Sequence, residues 1–222
     1  MMTAQKSDRR GAFWGLAFVA FLAGALAIVA AAGDIGDTPR EIVSYYQSHD
    51  ELQVAGYLIG AAGLCLLPFL GALRARLRRA EGERDDLATL AFGAGLVFTA
   101  MLFVFGAAVA AVATAAQWDH NYRIDATTSE TVWQLGFFFW TFAGVAGGVL
   151  AGAASLVAWR TRALPRWLAI VGFVATVAGF VQAAAWGFGT LVPVVWILLA
   201  SIVLLVRSRQ PAERAVTTPA ST

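Results

Sequence analysis

The chain has two histidines, and each stands beside carboxylates: His49 precedes Asp50 and Glu51, and Asp119 precedes His120, with Asp125 and Glu130 close behind. Imidazole with carboxylate suits zinc or another divalent ion. The spacing is not that of a built site, because no HxxxH or HExxH pair sets two ligands on one helical face. His49, Asp50, Asp119 and His120 are therefore carried as one candidate cluster, with solvated acidic loops as the plainer account. No catalytic, cofactor-binding or metal-ligating residue is assigned from it. The other candidates are polar or aromatic residues inside apolar runs: Gln182, Thr141, Ser155, and Trp140 within the aromatic stretch Trp133, Phe137, Phe138, Phe139 and Phe142. Such residues can line a lipophilic pocket, or bond to a preceding-turn carbonyl or across a helix contact.

The elements that must position these residues follow from composition. With 59% hydrophobic and 14% charged residues, the chain departs from the roughly half apolar, quarter charged make-up of a soluble domain. A bilayer core of about 30 Å needs roughly 20 apolar residues in a helix. Six stretches meet or approach that length: 12–32, 52–73, 87–116, 132–159, 167–186 and 188–206. None of the six contains Asp, Glu, Lys, Arg or His. Proton relays and most ion pathways place ionisable groups in the bilayer. A b-type haem would need paired intramembrane histidines, and a hydrolase a His, a carboxylate pair or a zinc motif. The expectation is a protein without cofactor or enzymatic activity. Cys65 is the single cysteine and lies inside an apolar run, so there is no disulfide framework.

The basic residues cluster in alternate gaps between these stretches. Lys6, Arg9 and Arg10 precede the first. Arg74, Arg76, Arg78, Arg79 and Arg84 follow the second, Arg160, Arg162 and Arg166 the fourth, and Arg207, Arg209 and Arg214 the last. Only Arg40 and Arg123 fall in the other gaps, which are rich in Asp and Glu. Because basic residues stay on the cytoplasmic side, the reading is an all-α, polytopic bundle of six transmembrane helices with both termini inside. It has a cytoplasmic tail at 1–11, a membrane domain at 12–206, and a C-terminal tail at 207–222 expected to be disordered. The clustering also argues against a nucleic-acid partner. Trp14, Trp159 and Trp167 would mark the inner interface, and Trp118, Trp133 and Trp186 the outer one. The first stretch resembles a signal peptide ending in Ala30-Ala31-Ala32, but its 21 residues exceed the roughly 7 to 15 of a signal h-region, so it is read as a span.

Between the first two spans, Thr38-Pro39-Arg40-Glu41 carries a capping box with proline at the first helical position. A short extracytoplasmic amphipathic helix is expected there. Ile42, Val43, Tyr45 and Tyr46 would face headgroups or the outer ends of spans three and four, which are long enough to protrude. Thr127 with Glu130 repeats the capping pattern before span four. Small-residue stripes at Gly144, Gly148 and Gly152, at Gly56 and Gly60, and at Gly11 and Gly15 permit close helix contact. Packing within the bundle is preferred over a homodimer. Pro68 and Pro193 are expected to kink their helices.

The segment Arg162-Ala163-Leu164-Pro165-Arg166-Trp167 resembles the cytoplasmic turn of a broad group of uncharacterised six-helix bacterial integral membrane proteins, a domain of unknown function. The likeness extends loosely over the chain in helix number, the outer segment after span one and the Arg-rich segment after span two. It implies fold and a bacterial inner-membrane location, and supplies no catalytic residues. One lysine among sixteen basic residues, with abundant Ala and Gly, agrees with a GC-rich bacterial source. The functional expectation is a non-enzymatic binding or accessory subunit for a lipophilic ligand or a partner protein, in contact with membrane lipid. A small transporter or channel is the alternative, and an outer-face metal-dependent enzyme the third.

Overall fold

The computed structural model describes residues 2–36, 38–82, 85–118, 123–185 and 189–207. Among these there are seven α-helices and no strand: α1 (Met2–Ala32), α2 (Pro39–Ser48), α3 (Glu51–Glu81), α4 (Asp86–Trp118), α5 (Ala126–Thr161), α6 (Arg166–Ala185) and α7 (Leu191–Arg207). Five of them, α1 and α3 to α6, are long and apolar enough to cross a membrane. The sixth expected span is represented by α7, apolar but only 17 residues. At 1.5 Å per residue it reaches about 26 Å, short of a full hydrocarbon core. Residues 186–188, the end of the expected fifth span, the turn after it and the start of the sixth, lie outside the described residues.

Each long helix packs on the next: α1 on α3, α3 on α4, α4 on α5, and α5 on α6. α7 returns against α1, α6 and α5 and closes the ring. The glycine stripes make these approaches possible, and they are used within the chain. Gly11 lies against Ala72, Gly15 against Phe69 and Ser201, Gly56 against Gly106 and Ala110, and Gly148 and Gly152 against Thr176. Gly60 differs, since a Cβ there would meet nothing within 4 Å. Phe98 occupies the middle of the bundle, fully buried, with its ring 6.1 Å from that of Phe18. Cys65 is buried and free.

Several boundaries depart from the sequence expectation. Arg74 to Arg79 are helical, because α3 runs on to Glu81 and ends at Gly82, whose φ of 74° favours glycine. The connection to α4 is correspondingly short, and Glu81 accepts from the Ala88 amide at 2.8 Å. α5 begins at Ala126, six residues before the apolar run. Its cap is Asp125, accepting from the Thr128 amide at 2.8 Å, and Thr127 is already helical. Hydrogen bonds from the Thr128 hydroxyl and then its amide hold the Asp125 carboxyl below the ordinary range. Pro193 sits in the first turn of α7, where an amide has no intrahelical partner anyway, so it ends no hydrogen-bond ladder there. Pro68 lies inside a continuous α3.

α2 forms as its start signals predict. Thr38 accepts from the Glu41 amide at 3.3 Å, and the Glu41 carboxylate accepts from the Thr38 amide at 3.0 Å. Thr38→Ala is expected to cost about 1 kcal/mol of local helix stability. Faster amide exchange confined to α2, with an unchanged melting temperature of the bundle, is the expected readout; uniform loss across the protein would contradict a purely local cap.

Candidate functional site

Buried polar side chains left incompletely satisfied among the described residues occur in several regions. The first lies among α5, α6 and α7. Gln182 is buried on α6, and its carbonyl oxygen accepts from the backbone amide of Thr190. The Thr190 hydroxyl donates to the Trp140 carbonyl at 3.0 Å. Gln182, Thr190 and Trp140 thus form one node tying the start of α7 to α5. Gly144 makes the approach possible, since a Cβ there would meet the Thr190 hydroxyl at 2.5 Å. The Gln182 Nε2 is buried without a partner among the described residues. Thr190 did not figure among the sequence candidates. Its signal is a threonine just ahead of an apolar run, where a helix cap is expected, although its hydroxyl serves α5 instead.

Thr141 and Ser155 do not join this node. The Thr141 hydroxyl donates to the Phe137 carbonyl of its own helix at 3.0 Å. Ser155 lies fourteen residues further on, about 21 Å along α5. There its buried hydroxyl faces Gly172 of α6 and has no partner among the described residues. Of the four pocket candidates, Gln182 and Trp140 are thus joined through Thr190, whereas Thr141 bonds only within its own helix and Ser155 lies at another level.

The second region lies beneath α2. Ile42, Tyr45 and Tyr46 are buried, and α2 packs on α5 and α4. Two contacts set the register of α4 against α5: Gly136 meets Ala108, and the Phe105 and Trp140 rings lie 5.1 Å apart. Counted six residues along each helix from the Gly136–Ala108 contact, at 1.5 Å per residue, Thr114 of α4 and Glu130 of α5, the residue after Ser129, come to about the same height. The hydroxyls of Thr114, Ser129 and Tyr45 are all buried without a hydrogen-bond partner among the described residues. Burial, and then the Glu51 and Asp34 carboxylates, push the Tyr45 hydroxyl above its ordinary pKa, so it stays a protonated donor. Trp133 and Phe137, partly buried, continue the aromatic wall below.

His49 closes this cap. Its ring lies 4.6 Å from that of Tyr45, and its Nδ1 is 2.7 Å from the Tyr45 carbonyl. Asp50 is exposed and makes no capping bond to α3. Asp119 and His120 lie outside the described residues. Among the described residues no three His, Cys, Asp or Glu side chains come together to hold a metal.

The opposite end of the bundle is basic. Arg74 lies over the Phe92 ring at 4.9 Å, Arg166 over Trp159 at 5.8 Å, and Arg78 pairs with Asp85 at 2.9 Å. Comparison of the chain with protein-family models, curated proteins and solved structures finds no match.

Proposed function

We propose that the chain is a non-enzymatic multi-pass protein of a bacterial cytoplasmic membrane that binds an amphiphilic ligand beneath α2. In this reading α7 and the residues before it make the sixth crossing, and both termini are cytoplasmic. The basic end of the bundle, the acidic segments around α2 and before α5, and the resemblance of the Leu164-Pro165-Arg166 turn support that orientation.

The observation that supports the binding reading is that the buried hydroxyls of Tyr45, Thr114 and Ser129 have no partner among the described residues. Buried polar groups are normally paired, and leaving one unmade costs about 1 to 3 kcal/mol. A hydroxyl- or carbonyl-bearing headgroup would satisfy them, with its apolar part along the aromatic face of α5. Most hydroxyls elsewhere in the spans are already paired, with Ser155 the exception, which weighs against a continuous transport path. Thr99, Thr141 and Ser201 each donate to the preceding turn of their own helix, and Thr176 donates to Gly148 and Gly172.

The test is native mass spectrometry of the gently extracted protein, comparing the natural chain with Tyr45→Phe/Thr114→Val/Ser129→Ala. The natural chain is expected to retain an amphiphile that the variant loses, while the variant's melting temperature stays level or rises, because removing an unpaired buried hydroxyl relieves a penalty. Equal retention would reject the site. A stoichiometric protein partner with no small molecule would replace this reading with that of an accessory subunit.

A further inference from the structure

We infer that a phosphate-bearing anion binds at the basic end of the bundle, in a cavity of about 380 Å³ lined by Arg162, Leu164, Pro165, Arg166 and Arg207. This site lies at the other end of the protein from the cap and does not depend on it. Its centre is the α5–α6 turn. The Ala163 carbonyl accepts from Arg76 of α3, at 3.1 Å from Nη2, and from Arg207 of α7, at 3.0 Å from Nη1. One neutral carbonyl therefore draws guanidinium groups from two different helices to the same turn.

Three of the guanidinium groups at this turn carry charge that no carboxylate among the described residues pairs with. Among the described residues Arg162, Arg166 and Arg207 form no ion pair; the Arg78–Asp85 pair belongs to the neighbouring α3–α4 connection. A guanidinium offers five donors in a planar fork that matches phosphate oxygens in pairs. Arg207 uses one of them on Ala163. α6 begins at Arg166, so its positive dipole end adds to the same field. Arg162 supplies a separate indication. It caps α5 with φ 58°, ψ 23°, the left-handed conformation that usually falls to glycine. Leu164, almost fully buried, is the apolar member of the lining, and the half-exposed Trp159 lies 5.8 Å from the Arg166 guanidinium. The phosphate could belong to an anionic phospholipid headgroup or be free in solution.

The test uses the full chain in nanodiscs of phosphatidylcholine, with short-chain phosphatidylglycerol titrated in one arm and inorganic phosphate in the other, and bound adducts read by native mass spectrometry. Each cavity arginine is expected to contribute about fivefold to binding. Arg162→Gln/Arg166→Gln/Arg207→Gln should therefore lose roughly a hundredfold, and Arg9→Gln/Arg10→Gln/Arg78→Gln, the same charge change elsewhere on that end, at least tenfold less. Arg162→Gly guards against a folding artefact: it relieves the backbone and should raise the melting temperature while still weakening binding. Phosphatidylglycerol that millimolar phosphate fails to displace identifies the lipid headgroup; displacement with a phosphate adduct identifies the free anion. Equal losses in the two triple variants, or no adduct in either arm, would overturn the proposal.

Discussion

Trp196→Ala is expected to destabilise the bundle more than any other single side-chain truncation, by about 4 kcal/mol. Trp196 heads the fully buried large side chains. It fills the space between α7 and α6, and its indole N–H donates to the Leu168 carbonyl at 3.2 Å. Gly172 is small because the indole is there: a Cβ at that position would stand 2.7 Å from Nε1. The loss comes from vanished packing contacts, since lipid leaves little hydrophobic difference between inside and outside. Trp196→Phe separates the two contributions. It keeps most of the volume, loses the donor, and is expected to cost about 1 kcal/mol. Unfolding in mixed micelles would measure both. A Trp196→Ala cost near that of Trp196→Phe would mean that α7 is not seated as described.

The second large effect is backbone approach. Gly56→Ala and Gly179→Ala are each expected to cost about 3 kcal/mol, at the upper end of overpacking penalties. At Gly56 the added carbon would stand 2.5 Å from the Gly106 carbonyl oxygen and 2.5 Å from the Ala110 Cβ. At Gly179 it would fall on the Gly144 carbonyl oxygen, with the carbonyl carbon at 3.0 Å. Neither neighbour can rotate away, because both are backbone, and so the helices must separate. Gly60→Ala, one turn along from Gly56, meets nothing within 4 Å and should be neutral or gain up to about 1 kcal/mol. The same unfolding measurement reads all three. A stability loss at Gly60 equal to that at Gly56 would place a further protein surface, such as a second copy, against that face.

Gly56 and Gly60 also mark how far sequence reasoning reaches. The pair reads as one stripe by spacing, yet only one member touches a neighbour, because helix rotation decides which of two adjacent positions faces inward. The start of α5 is a similar case. Asp125 and Thr127 are both able to cap, and the chain's path into the helix selects Asp125. The charges of Arg74 to Arg79 predict a connection, since charge marks where a chain leaves hydrocarbon. A helix stops only where its backbone bonds stop, here at Gly82. The capping box of α2 was fully legible, since its hydrogen bonds join residues three apart.

By itself the sequence determined the helical class, the apolar segments, the segregation of basic from acidic connections, and the cap at Thr38. Each follows from the transfer preference of individual side chains or from hydrogen bonds within one turn. Only the tertiary structure decided that Gln182 meets Thr190 and Trp140, that Ser155 stands apart, that the hydroxyls of Tyr45, Thr114 and Ser129 are buried without a partner among the described residues, and that Arg76, Arg162, Arg166 and Arg207 gather around one turn. Those meetings depend on the rotation and register of packed helices. Both are set by glycine-mediated approaches between residues distant in the chain, which spacing along one helix does not encode.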